Sequence, residues 1–199
     1  MNYLAHLFLA QPTVESRVGN LLGDFARGVN TELLPEPILK GLENHRLVDR
    51  YTDSHPAVKQ LKALVSPQRR RFAGIMLDMA FDHYLIKHWD RFSSQPFEAS
   101  CKEYYLSLYQ GADLMPERMR TITSRIIEQD WFSSYASIEG IGLALDRIAG
   151  RIRFQNEFAG SIDELLLLQG QIEQSFLKFF PELIGNVAMQ KIEAGNLSS

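Results

Sequence analysis

One cysteine in 199 residues, Cys101, excludes an internal disulfide framework and fits a reducing compartment. No Cys-x-x-Cys pair, no serine nucleophile elbow and no phosphate-cradling glycine loop after a strand occurs, which disfavours redox, serine-hydrolase and nucleotide folds. No apolar run approaches the roughly 18 residues of a membrane span. The first ten residues, MNYLAHLFLA, lack the basic start of a signal peptide and are interrupted by His6. The formal charge of −3 gives no global attraction to nucleic acid or to anionic membrane. These absences predict a cytoplasmic protein with no nucleic-acid or membrane partner.

What is present is helical. At 45% hydrophobic content the chain can bury one full core, and a single domain over 1–199 is expected. The apolar period is helical almost throughout, with no trustworthy strand alternation. Helices are expected over 20–27, from Pro35 and Pro37 to His55-Pro56, and on to Val65. Ser66-Pro67 reads as the cap and first residue of a long helix running toward Trp89 and Phe92. Further helices are expected near 96–109, 116–131, 138–152, 161–180 and 183–194. Ser161 and Glu164 have capping-box spacing. All five histidines precede residue 90, so chemistry belongs to the first half while the second half packs or docks.

The chemistry starts at His45, Asp49 and Asp53. Steps of four residues advance only about 40° around a helix, so the three share a face. Asp78, Asp82 and His83 lie on a second, otherwise apolar segment, and Asp24 stands upstream. Buried carboxylates and imidazoles must be paired or hold a metal, because an isolated buried charge is too costly. Like charges at i, i+4, as at Asp78 and Asp82, repel, and a cation between them turns repulsion into ligation. Oxygen and imidazole ligands without cysteine suit a divalent metal, and the carboxylate richness leans toward Mn²⁺ or Mg²⁺, with Fe²⁺ and Zn²⁺ as further options. His6 taken alone reads as a satisfied core histidine, His55 as a turn residue, and His88 as a cation at a helix C-terminus. Arg69, Arg70 and Arg71, with the Arg147, Arg151 and Arg153 series, are the strongest basic features. Each reads as a solvated face or, more sharply, as a grip for an anionic partner.

Four ordered motifs, MNYLAHLFLA, GNLLGDFARG, HRLVDRYTD and LDMAFDHYL, closed by His88-Trp89 and the late Phe179-Phe180-Pro181, resemble the acyl carrier protein phosphodiesterase family. The resemblance spans essentially the whole chain. It implies an all-α fold related to the HD-domain metal-dependent phosphohydrolases and a divalent-metal activity, commonly Mn²⁺. The implied reaction frees 4′-phosphopantetheine from a serine of holo acyl carrier protein, the expected partner. The matching positions are His6, Asp24, His45, Asp49, Asp78, Asp82 and His83. Their order departs from the usual HD pattern, since an aspartate comes first and the adjacent pair reads Asp82-His83. On this reading Asp24, Asp78, Asp82, His83 and His6 hold metal, while His45 and Asp49 are catalytic. Arg27 and Arg46 neutralise the phosphodiester, and Arg69 to Arg71 dock the acidic helix of the carrier. The rivals are an HD-type phosphohydrolase acting on nucleotides and a non-catalytic helical module that binds an acidic partner.

Overall fold

The computed structural model describes residues 1–193, and among them the chain forms eleven α-helices, short 3₁₀ turns and no strand. The all-α expectation holds. The helices that position the site are α1 (Tyr3–Phe8), α2 (Val14–Leu22), α3 (Glu36–Ser54) and α5 (Ala73–Lys87). Around them lie α4 (Pro56–Leu64), α6 (Phe97–Gln110), α7 (Glu117–Glu128), α8 (Trp131–Ser134), α9 (Ile138–Ala149), α10 (Ile162–Leu167) and α11 (Gln169–Gln190). No helix is long and apolar enough to cross a membrane among the described residues.

Proline marks the helix starts as read from sequence: Pro35 flanks α3, Pro56 opens α4, and Pro96 and Pro116 flank α6 and α7. Three expectations need correction. Residues 23–25 are a 3₁₀ turn after α2, and Gly28 closes the segment at φ +84°. Ser66-Pro67 does not open the long helix; a turn and a 3₁₀ segment over Arg70–Phe72 intervene, and α5 begins at Ala73. Pro181 does not separate two helices but lies inside α11, and the end of the predicted 183–194 helix falls outside the described residues.

The predicted capping box also fails. Ser161 makes no side-chain cap, and Glu164 instead accepts from the Ser66 amide, from Ser66 Oγ at 3.1 Å and from Arg69 Nη1 at 3.5 Å. A long-range contact outcompetes the local one because it satisfies groups in the loop before α5.

The core runs through α1, α2, α3, α5 and α11, with Leu4, Leu21, Leu42, Phe81, Phe176, Phe179 and Phe180 all fully buried. Two crossings fix the geometry. Helices α2 and α3 meet at Gly19 and Gly41: a Cβ on Gly41 would lie 2.7 Å from Ser16 O and 2.9 Å from Gly19 Cα, so only glycine permits the approach. Helix α1, six residues long, is pinned by α5, because Asp82 accepts from the Leu4 and Ala5 amides at 3.1 and 3.0 Å. Those donors have no intrahelical partner, and a carboxylate at a helix N-terminus satisfies them and complements the dipole.

Candidate metal centre

The two crossings bring His6 of α1 against His45 of α3, their rings stacked with centroids 3.9 Å apart. His45 Nε2 lies 3.0 Å from Asp49 Oδ2, and His6 Nε2 lies 3.3 Å from Asp49 Oδ1. One ligand atom from each of the three falls within 4.8 Å of the others. The N-terminal ammonium of Met1 bridges Asp49 and Asp78 at 3.2 and 3.1 Å, which places Asp78 beside the cluster.

The protonation pattern of the rings is set by the backbone. His45 Nδ1 sits 2.7 Å from the Asn20 carbonyl, which can only accept, so the ring carries its hydrogen there. In the neutral ring Nε2 then presents a lone pair to the Asp49 carboxylate 3.0 Å away, a contact that either a proton or a metal cation between them satisfies. His6 is fully buried, and neither ring nitrogen has a hydrogen-bond partner; its approach to Asp49 is close but misaligned. A buried imidazole without partners is costly unless something outside the protein engages it. This donor set fits a divalent cation, and the Asn20 carbonyl is the kind of outer support that orients a ligating histidine.

Burial would raise Asp49, but the His45 and His6 rings and the Met1 ammonium outweigh it and hold the carboxyl well below its ordinary range. Burial lowers the His6 imidazole from 6.5 to about 3, with the adjacent His45 adding to the effect. Burial likewise opposes the Met1 ammonium, yet Asp78 and Asp49 carry it up to about 10. Asp24, after α2, is solvent-exposed by area yet crowded: loss of water raises its carboxyl, His45 opposes, and Asp49 and Asp78 reinforce.

A pH prediction follows from His6. Its folded value lies below its unfolded one, so its contribution to stability is present above pH 6.5 and is lost as pH falls toward 3. In metal-free protein, His6→Leu is expected to remove about 2 kcal/mol of the stability loss between pH 7 and pH 5. Denaturant titrations at the two pH values measure it, and identical pH slopes in both proteins would contradict it.

The remaining predicted residues divide. Asp82 is fully buried and spent on the α1 amides; burial pushes its carboxyl up to about 7 against those two hydrogen bonds. His83, expected beside it as a ligand, points elsewhere: Nδ1 donates to the Tyr135 carbonyl at 2.9 Å, and its charged neighbours are Lys87, Glu173 and His88. Adjacent helical residues diverge by about 100°, and here that sends Asp82 to α1 and His83 to the far side. Asp53, one turn further along α3, does not join the cluster; it is exposed and paired with Lys62 at 2.6 Å. His55 caps α4 and pairs with Glu182 at 3.1 Å, and His88 meets Glu173 at 2.6 Å, so both stay structural.

Arg27 and Arg46 are exposed. Arg69 is bound to its own chain through the Glu157 and Ala159 carbonyls at 2.7 and 2.9 Å, Arg70 reaches the Val65 carbonyl at 3.4 Å, and Arg71 lies 4.1 Å over the Phe154 ring. They do not sit on one helix with Asp78, because α5 starts after them.

Sequence reasoning missed Gly23. A Cβ there would overlap the His45 ring, so the residue before Asp24 has to lack a side chain for His45 to occupy its place. The signal was the Gly19-x-x-x-Gly23 spacing, which runs from α2 into the 3₁₀ turn that follows it.

Known proteins resolve the family. A family model described as acyl carrier protein phosphodiesterase matches residues 1–183. A protein of that name from Serratia proteamaculans is 33% identical over 92% of this chain and 96% of its own length. Its namesake in Pectobacterium atrosepticum is 31% identical over 96% of this chain and 100% of its own. Another, from Escherichia coli O6:H1, is 30% identical over 92% and 96%. No solved structure matches. The chain belongs to the acyl carrier protein phosphodiesterase family.

Proposed function

We propose, from membership of the acyl carrier protein phosphodiesterase family, that this enzyme hydrolyses the phosphodiester joining 4′-phosphopantetheine to a serine of holo acyl carrier protein. The products are the apo protein and free 4′-phosphopantetheine. The observation that carries the metal-dependent form of this reading is the His45 lone pair facing the Asp49 carboxylate beside an unpartnered, buried His6. His6, His45 and Asp49 would hold a divalent cation, with Asp24 and Asp78 at the rim, and Mn²⁺ first among the candidates. Such an ion supplies Lewis acidity to a phosphoryl oxygen and acidity to a bound water. A histidine-and-aspartate centre on helices also supports the kinship with HD-domain phosphohydrolases.

The chain's own residues do the rest. The Asn20 carbonyl keeps the hydrogen of His45 on Nδ1 and so keeps Nε2 aimed at the centre. Gly23 leaves the ring its space. Asp82 holds α1, and with it His6, against α5. Arg27 and Arg46, both exposed, are free to meet the anionic diester. Neither histidine the sequence offers for protonating the leaving serine oxygen would serve on this reading: His83 faces away from the site, and a His45 that holds the cation through Nε2 has its one hydrogen on the Asn20 carbonyl. Arg70 and Arg71 remain the exposed members of the triplet proposed to meet the acidic carrier.

Intact-mass measurement of holo carrier protein tests the reading. Incubation with enzyme and Mn²⁺ is expected to release the prosthetic group, chelation to stop release, and added Mn²⁺ or Mg²⁺ to restore it. Turnover of nucleotides with no change in the carrier would support the rival phosphohydrolase instead, and full activity in verified metal-free protein would remove the metal from the mechanism.

A further inference from the structure

A cavity of about 440 Å³ lies between the start of α1 and the α7–α9 layer, a size typical of small-molecule sites. One wall is Asn2, Tyr3, Phe25 and Met79, the chain neighbours of Met1, Asp24 and Asp78, so the cavity borders the centre. Tyr3 and Phe25 stack at 6.1 Å along this wall, and the Tyr3 phenol feels Asp24 from one side and Arg118 and Arg151 from the other. The opposite wall is mixed. Ile122, Leu143, Ala144 and Ile148 provide apolar surface, while Arg118, Arg147 and Arg151 provide charge.

No carboxylate lines the cavity, although acidic residues outnumber basic ones 24 to 21 in the whole chain. None of the three arginines forms an ion pair with another described residue. Leu143 is 61% exposed, an uncovered apolar side chain beside those charges. Unpaired guanidinium groups beside bare apolar surface suit a ligand that is anionic at one end and has apolar and amide segments behind it.

We infer that this cavity receives the prosthetic arm of the substrate, with Arg118, Arg147 and Arg151 binding its phosphate and amide oxygens and Ile122, Leu143 and Ile148 lying against its methyl and methylene groups. The inference rests on the reading that holo carrier protein is the substrate, and it adds the arm as an element of recognition beside the carrier's surface. The arm has the required order of groups: an anionic phosphate next to the bond to be cut, branched methyls, two amides and a thiol. With its phosphate at the edge where cavity and centre adjoin, facing the arginines, the rest of the arm has the cavity to enter.

Trp131 lines the cavity, its Nε1 bonded to Gln129 Oε1 at 3.1 Å, while Trp89, the other tryptophan, is buried elsewhere against Phe8 and Phe97. Titration of the wild-type protein with free 4′-phosphopantetheine is expected to change Trp131 fluorescence saturably, at concentrations at least about tenfold below those needed with inorganic phosphate. The double variant Arg147→Ser/Arg151→Ser, exposed at both positions, and the cavity-filling Ala144→Phe are each expected to weaken that binding by on the order of tenfold or more. Both are expected to raise KM for holo carrier protein more than they lower kcat. They should also lower kcat/KM for holo carrier protein relative to that for a small phosphodiester, bis(p-nitrophenyl) phosphate.

If phosphopantetheine and inorganic phosphate bind alike, or the variants lose both substrates equally, the cavity does not hold the arm. Cleavage of holo carrier protein with no Trp131 response would overturn the cavity and leave the activity standing. A saturable response, lost in the variants, without cleavage of holo carrier protein would overturn the activity and leave the cavity standing.

Discussion

Replacing His45 or Asp49 by alanine is expected to lower phosphodiester hydrolysis by on the order of 10³-fold or more, with helix content close to wild type. On the proposed metal-dependent mechanism the magnitude is that of losing several kcal/mol of charge stabilisation at about 1.4 kcal/mol per decade. Asp49 is the carboxylate beside His6, His45 and the Met1 ammonium, so its loss removes the anion they share. His45→Ala also vacates the space against Gly23. The discriminating comparison is the metal content of the purified variants, because both should also lose bound metal. A variant with full metal and normal turnover would move the centre away from these residues.

Gly23→Ala is expected to cost on the order of 10²-fold in activity, although alanine is the most conservative change available. The backbone at Gly23 is right-handed helical, so alanine meets no conformational strain there. Its Cβ would nevertheless overlap the His45 ring. A core overpacked by one methyl usually costs about 1–3 kcal/mol, and here the group it would displace is the His45 ring of the proposed centre. An ångström of misplacement in a reacting constellation is worth on the order of 10²-fold. Gly28→Ala is the control: its φ of +84° makes it strained for any side chain, but nothing lies within 4 Å of the added atom. It should cost about 1 kcal/mol of stability and little activity. Equal loss of activity in the two variants would mean that the Gly23 effect is general destabilisation.

These expectations show how far sequence carries. His45 and Asp49 were legible because i, i+4 spacing is a local property, and the structure keeps both on one face of α3. His6 was visible only through family resemblance, since a histidine in an apolar hexapeptide looks like core until α3 is brought beneath it. Asp82 and His83 formed the most conspicuous pair, yet the first answers a need of α1 and the second a carbonyl after α8. Those needs arise 77 and 52 residues away, where no local pattern records them. Glu164 failed as a capping box for the same reason. The arginines divide similarly: Arg69 was read as a surface and became a brace for the 157–159 loop, while Arg147 and Arg151 border the cavity.

The support of α1 by Asp82 has a consequence for how the enzyme comes into being. A six-residue helix is far below the roughly 12–15 residues at which isolated helices become marginal in water, so α1 persists only while α5 holds it. During synthesis His6 is made early, but it can take its place only after residue 82 has emerged and α5 has formed. The first of the clustered residues made is thus among the last installed, and no fragment ending before α5 should assemble the His6, His45 and Asp49 cluster. In the mature protein the same dependence makes hydrogen exchange at the Leu4 and Ala5 amides a direct gauge of how much of the population carries an assembled site at any moment.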